Sequence, residues 1–257
     1  MTATALQIDR KDLIEGLGKG LRVIEAFDDD HPRLTPSEAG QRAGITRTAA
    51  RRYLLSLCHF GYAATDGKLF WLMPRVLRLG QSYLGAARLP RLVQPFIQRA
   101  AMATGETVNV SVLDGHEIVY VARSNSPRLV TIGFHAGARA PAHGVAPGPA
   151  ILSTFDDETL ERWLAAHEFA AFTPQGVTNA ERFRETVLAA RACGYGVAEQ
   201  QLDAGLRGIA LPLVNRKGEC VGAVGMTLPR LPETADEMVT RLLPALQEAA
   251  RALRPIL

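Results

Sequence analysis

Arg47, Thr48, Arg51 and Arg52 stand within one short stretch, "TRTAARRYLLSL". At 100° per residue they gather on one side of a helix, while Ala50, Tyr53, Leu54, Leu57 and Phe60 gather on the other. An exposed guanidinium can bridge O6 and N7 of a guanine in the major groove, and a threonine can meet a thymine methyl or a phosphate. The chemistry this spacing points to is the reading of double-stranded DNA. The plainer alternative is a solvated basic face on an ordinary amphipathic helix.

The elements that must hold those groups are legible around them. "GLGKGLRVIEAF" spaces Leu17, Leu21, Ile24 and Phe27 as one face of a helix, and "DDDHP" stops it. Thr35 precedes Pro36, with Glu38 three residues after the threonine: a capping box, with proline where its missing N–H is not needed. Gly44 ends this helix after about two turns, and Thr46 caps the next. A short helix, a glycine turn and a second helix with a polar N-terminal end make a helix-turn-helix. Thr35 and Thr46 join the four residues above as candidate DNA contacts. Asp66-Gly67, between two β-type runs, predicts a two-residue hairpin and so a winged helix. Lys68 then sits at the wing tip, near a phosphate or a minor groove, or is an ordinary turn lysine. "PRVLRLGQSYLGAARLP" predicts a helix, either a linker that packs on a second subunit or a helix internal to the domain. The expected boundaries are a flexible tail over 1–10, the winged helix-turn-helix over 11–74, the linker helix over 75–90 and a second domain over 91–257.

Charge follows the same division. The chain carries +3 overall, but residues 33–88 hold 9 Lys and Arg against 2 Asp and Glu, whereas residues from 91 onward hold 16 against 17. That is the footprint of a nucleic-acid-binding module joined to a nearly neutral one. An apolar content of 47% allows a sizeable core. No apolar run is long enough to span a bilayer, and "MTATALQIDRKD" lacks the apolar centre of a signal peptide. Cys58, Cys193 and Cys220 are too scattered for a disulfide framework or a CxxC metal pattern. A cytoplasmic protein with no membrane partner is expected.

The second domain reads as α+β. "TVNVSVLDGHEIVYVAR" alternates, turns at Asp114-Gly115 and alternates again. "LVTIGF" predicts a third strand, and "YGVAEQ", "RGIALPLVN" and "CVGAVGMTL" predict three more. Helices start at Asp156, at Asn179 or Thr178, and near Glu233. The sum is an antiparallel sheet with flanking helices, of a sensor-like kind. There is no HExxH, no GxSxG, no phosphate loop and no GxGxxG after a strand, so no enzyme, cofactor or metal is expected. His143, in a glycine-rich loop, is a ligand contact or a structural residue. Arg123 ends a strand, and Arg128 and Arg139 flank the next; each faces a carboxylate ligand or pairs with a local acid. The loop 140–148 leads to a helix N-terminus, whose free N–H groups favour an anion. Pro147 and Pro149 remove two of those donors.

Taken together, "GLGKGLRVIEAF", "LTPSEAGQRAGITRTAARRYLLSL", "GYAATDGKLFWLMPRVLRLG", "VSVLDGHEIVYVAR", "GYGVAEQQLDAGLRGIALPL" and "GAVGMT" resemble the IclR-type bacterial transcriptional regulators over nearly the whole chain. Within that family the likeness is strongest to the branch controlling protocatechuate and 4-hydroxybenzoate catabolism. The resemblance implies a winged helix, a linker helix and a GAF-like effector domain. It also implies a homodimer, often paired into a tetramer, on a roughly palindromic operator. Carried over by position, its effector contacts fall on Ala146, Pro147, Gly208, Gly225 and Thr227. Ala198 replaces the acidic residue of relatives that bind small oxo-acids, which argues against a glyoxylate-type ligand. The effector implied is a small aromatic or dicarboxylic acid. Two rivals remain: an enzyme acting on its ligand, which predicts slow turnover, and a DNA binder blind to small acids.

Overall fold

The structure, a computed structural model, describes residues 8–124, 134–230 and 232–257. It divides into two compact units between Ala86 and Ala87. The tail expected over 1–10 lies mostly outside the described residues, as does most of the strand expected in "LVTIGF".

The N-terminal unit holds helices α1 (Glu15–Glu25), α2 (Pro36–Ala43) and α3 (Arg47–His59), strands β1 (Ala63–Thr65) and β2 (Phe70–Leu72), and helix α4 (Leu77–Ala86). Its local signals act as their chemistry requires. The Thr35 hydroxyl accepts from Glu38 N at 3.3 Å, and the Glu38 carboxylate accepts from Thr35 N at 2.7 Å. Gly44 ends α2 at φ 65°, and the Thr46 hydroxyl accepts from Ala49 N at 3.3 Å. Val23, Ala26, Leu34, Ala39, Leu54 and Phe70 build a small core. Leu34 and Phe70 exchange backbone hydrogen bonds at 2.8–2.9 Å, which ties β2 to the entrance of α2.

Several expectations for this unit are corrected. Helix α1 buries Val23 and Ala26, while Leu17 and Leu21 stay 65% and 42% exposed. Gly16 and Gly20 approach the Tyr53 ring, so α1 turns its small-residue side toward α3. Phe60 caps α3 at its C-terminal end and is exposed rather than part of the apolar face. The wing is a four-residue loop, because β1 and β2 pair as far as Thr65 and Phe70. Asp66 Oδ1 accepts from Lys68 N at 2.9 Å and Leu69 N at 2.8 Å, which satisfies backbone donors that a two-residue turn would have paired across the strands. The helix expected over 75–90 stops at Ala86, with Ala87 extended at ψ 126°. Pro90 has no N–H to offer the Ala86 carbonyl, so the ladder cannot run through.

In the C-terminal unit, helix α5 (Arg88–Thr104) leads to β3 (Val108–Asp114), β4 (Glu117–Arg123) and β5 (Arg139–Pro141). Helices α6 (Pro147–Leu152), α7 (Asp157–Ala165) and α8 (Ala180–Cys193) follow, then β6 (Gly196–Glu199), β7 (Leu206–Val214), β8 (Cys220–Pro229) and α9 (Ala235–Leu253). The strands form one antiparallel sheet in the order β5-β4-β3-β8-β7-β6. The turn between β3 and β4 is Gly115-His116, not Asp114-Gly115, since Asp114 still pairs with Glu117. Gly115, at φ 61°, supplies the positive φ that the first central residue of such a turn needs.

Alternation sorts the side chains between two cores. Val108, Val110, Val224 and Met226 face α5 and α9. There Leu242, Leu246 and Leu253 are fully buried, each stabilising the fold by about 2 kcal/mol. Ile118, Tyr120, Ala210 and Ala223 face the other way, toward α6, α7 and α8. The sheet thus lies between two helical layers. Gly148 lets α6 press close: a Cβ there would stand 1.8 Å from the Ala142 carbonyl oxygen.

Candidate functional site

In the N-terminal unit four arginines are engaged within the fold. Arg22 Nε donates to the Ala43 carbonyl at 3.2 Å. Arg42 donates to the Ala26 carbonyl at 2.6 Å and forms an ion pair with Asp28. Arg75 donates to the Phe60 carbonyl at 2.8 Å, and Arg33 lies 4.5 Å from the Trp71 ring centre. These four hold the fold together. Arg47, Arg51 and Arg52 are exposed, and among the described residues their guanidinium groups have no hydrogen-bond, ion-pair or ring partner.

Their position makes this informative. No acidic residue stands in the first turn of α3. Arg47, in the first turn, opposes the macrodipole by about 0.3–1 kcal/mol at low salt, and Arg51 and Arg52 gain no partner among the described residues. Folding therefore gives no reason for these three cations, whereas a polyanion does. Thr48 is exposed beside them, and Ala50 and Leu54 anchor the opposite side at 0% exposure. Thr35 and Thr46 have their hydroxyls engaged as caps. Lys68 is exposed on the wing loop.

In the C-terminal unit, Phe134, Ala146, Gln200, Leu202, Gly208 and Thr227 line a cavity of about 20 Å³ between the sheet and the loop ahead of α6. Three of the residues named from the sequence, Ala146, Gly208 and Thr227, meet here. The other described candidates do not line it. Pro147 is buried at the start of α6, and Gly225 lies in the sheet opposite Asn109 and Ala210. Arg123, half-buried at the end of β4, also lies opposite Asn109. Arg139 donates to Glu117 at 2.6 Å and Asp114 at 2.7 Å, an edge ion pair. Arg128 lies outside the described residues. The helix N-terminus is no anion site: Pro147 and Pro149 have no N–H, and Gly148 N donates to the Val145 carbonyl at 3.1 Å.

Sequence reasoning missed Phe134, Leu202 and the glutamine loop between β6 and β7. The loop had one physical mark, invisible in the sequence: Gln200 sits at φ 55°, the one non-glycine residue with positive φ among those described. Arg207 also borders the cavity, but its guanidinium is buried and held by Glu199 at 2.7 Å and by the Glu233 carbonyl at 2.7 Å.

His143 belongs to an aromatic cluster instead. Its Nε2 donates to the Ala170 carbonyl at 2.9 Å, which leaves Nδ1 to accept from His167 Nε2 at 2.7 Å. His116 and Trp163 stack on His167, with ring centres 4.9 and 4.7 Å away. Burial lowers the pKa of His143, against the pull of the Ala170 carbonyl. Burial, then the neighbouring His143 and His116, bring His167 down to about 4. His143 and His167 are therefore neutral at pH 7, and the cluster is structural in character. Among the described residues no group of His, Cys, Asp and Glu side chains is placed to hold a metal ion, and no helix is long and apolar enough to cross a membrane.

Comparison with known proteins bears on both regions. Residues 16–67 match the IclR helix-turn-helix domain, and residues 81–254 match the C-terminal domain of the bacterial transcriptional regulator IclR. The chain is 38% identical to the p-hydroxybenzoate hydroxylase transcriptional activator of Acinetobacter baylyi, over 96% of this chain and 93% of that one. It is also similar to the crystal structure of a double mutant of the inducer-binding domain of the PobR transcription factor from Acinetobacter, in complex with 3-hydroxybenzoic acid. There the TM-score is 0.62 and the identity 31%, covering 66% of this chain and all of that domain. An IclR homologue from Microbacterium hydrocarbonoxydans, complexed with 4-hydroxybenzoate, matches with a TM-score of 0.71 and 25% identity, over 93% of this chain and 97% of that one.

Proposed function

The chain belongs to the IclR family of bacterial transcriptional regulators, and on that premise we propose that it controls genes of aromatic-acid catabolism in response to a small acid bound in its C-terminal unit. It is a DNA-binding regulator and not an enzyme. Arg47, Thr48, Arg51 and Arg52 read or clamp the operator, and Lys68 meets a phosphate at the wing. The observation that carries this is the set of three exposed guanidinium groups at the start of α3, without partners among the described residues, whereas Arg22, Arg33, Arg42 and Arg75 of the same unit are engaged within the fold. The effector site is the cavity under the α6 loop, floored by Gly208 and Thr227. The hydroxybenzoate complexes of its relatives favour an aromatic acid there.

The regulator works in the cytoplasm as a dimer or a pair of dimers. Support comes from the large apolar side chains left exposed in the N-terminal unit: Ile14 at 76%, Leu17 at 65%, Leu77 at 70% and Tyr83 at 50%. Exposed apolar groups that join into a patch mark interaction surfaces. Effector binding shifts the placement of the two winged helices and so the half-site spacing the dimer prefers. The test is a gel shift on the gene's own upstream DNA at fixed salt, with hydroxybenzoates, protocatechuate and β-ketoadipate added in turn. A specific shift altered by one acid is expected. A specific shift indifferent to every acid removes the effector reading, and binding without sequence preference removes the regulator reading.

A further inference from the structure

Among the described residues, three buried polar atoms lie on the cavity side of the sheet without partners. Asn109 is 2% exposed, and neither its Oδ1 nor its Nδ2 has a hydrogen-bond partner among the described residues; the same holds for Oη of Tyr120, which is 1% exposed. Their face is fixed by alternation. Val108 and Val110 point to the α5–α9 core, so Asn109, between them, points the other way, and Tyr120 packs in the opposite core. The register brings them together. Asn109 lies opposite Gly225 on β8, two places from Thr227, and Tyr120 lies opposite Ser111, two places from Asn109.

Neither lines the cavity itself; Tyr120 stands directly behind its wall, and Asn109 lies on the same face of the sheet. The Tyr120 ring stacks on Phe134, with centres 4.5 Å apart and planes 13° from parallel, and Phe134 and Thr227 line the cavity wall. Burial pushes the Tyr120 phenol up; the Thr227 side chain is near enough to pull it partly back, but the two do not meet in hydrogen-bond geometry. The phenol therefore stays a protonated donor, and no described atom meets it in hydrogen-bond geometry.

Buried polar atoms without partners are rare, and each calls for a reason. Packing gives none here, since leucine and phenylalanine would fill the same space without leaving donors and acceptors unmatched. We propose that Asn109 and Tyr120 form the polar floor of the ligand site and read a hydroxyl group on the ring of an aromatic acid. This rests on the effector reading above and specifies it. The chemistry of the floor selects the group. Asn109 Oδ1 needs a donor, which a carboxylate lacks and a phenol supplies; Nδ2 and the Tyr120 hydroxyl then find the phenol oxygen as acceptor. A carboxylate driven into this floor would be a buried charge. The acid's charge therefore stays toward the cavity's open side. The parallel rings of Tyr120 and Phe134 offer a flat wall suited to an aromatic ligand. A benzoate needs several times the present 20 Å³, so binding has to part the walls of the cavity.

The test is calorimetric titration of the full chain with 4-hydroxybenzoate, 3-hydroxybenzoate and benzoate, repeated on Tyr120→Phe and Asn109→Leu. The parent should bind at least one hydroxybenzoate tenfold or more tightly than benzoate. Each variant should lose tenfold or more for that hydroxybenzoate, hold benzoate within twofold, and melt no lower than the parent. Equal loss for both acids, or hydroxybenzoate binding within twofold of the parent in Tyr120→Phe, overturns the assignment and leaves the effector reading intact. A parent chain that binds none of the three acids, nor β-ketoadipate, removes the effector reading and this assignment with it. Tyr120→Phe changes one atom and carries the test even if Asn109→Leu does not fold.

Discussion

The start of α3 and the floor of the sheet have one property in common: each holds polar groups that the fold leaves unmatched. They differ in where those groups stand. Arg47, Arg51 and Arg52 are in water, where an unpaired cation loses little and remains ready for a polyanion. Asn109 and Tyr120 are inside, where an unmatched donor or acceptor costs about 1–3 kcal/mol. The same sign of function therefore has different consequences. Truncating the outer groups should weaken binding and spare stability. Removing the inner ones should spare or raise stability while altering which ligand is held.

The comparison can be broken from its largest expected effect downward. Gly148→Ala puts a Cβ into the Ala142 carbonyl. It should destabilise the C-terminal unit by about 3 kcal/mol or more, lowering its melting temperature by roughly 6–12 °C. Native-state hydrogen exchange should find the amides of α2 and α3 unchanged; equal loss in both units would deny their independence. Arg51→Ala should weaken operator binding by about 1–3 kcal/mol and relax one base position, with the melting curve unmoved. A lowered melting temperature there would assign the arginine to the fold instead.

The third effect is acid-dependent. His167 titrates near 4 in the fold, below the ordinary histidine range, so the unfolded chain binds the extra proton first as pH falls. Stability is complete above about pH 6.5 and declines toward pH 4. The side chain is partly exposed and screened, so the loss should be no more than about 1 kcal/mol. His167→Phe should flatten the decline in melting temperature between pH 7 and 5 by a few degrees; an unchanged slope would place the acid sensitivity elsewhere. Lys68→Ala is the smallest change. Affinity should fall evenly across DNA sequences, with the slope of log K against log salt reduced by about 0.9.

What could be read in advance follows the same divide. Helix α3 was legible because local rules decide it: Thr35, Gly44 and Thr46 act within four residues of themselves, and the period of Ala50 and Leu54 finds the core. The cavity was only partly legible. Its walls come from Phe134, the loop ahead of α6, the Gln200 loop and two strands, and strand order alone joins them. Arg139 looked like a ligand contact because its acids, Asp114 and Glu117, stand more than twenty residues away in the chain. Leu17 and Leu21 have helical spacing, but the glycines of α1 turned the other side inward. Asn109 read as one polar residue in an alternating strand. Its burial without a partner is a property of three neighbouring strands together.

The central claim is that a small acid in the C-terminal unit and DNA on α3 are coupled. The most direct test measures that coupling in both directions on the full chain. Operator affinity would be taken by fluorescence anisotropy with and without saturating hydroxybenzoate, and hydroxybenzoate affinity with and without operator, at one salt concentration. The account predicts that each ligand changes the other's dissociation constant by the same factor, within about 5–150-fold. Tight binding of both ligands with neither constant changed would contradict it.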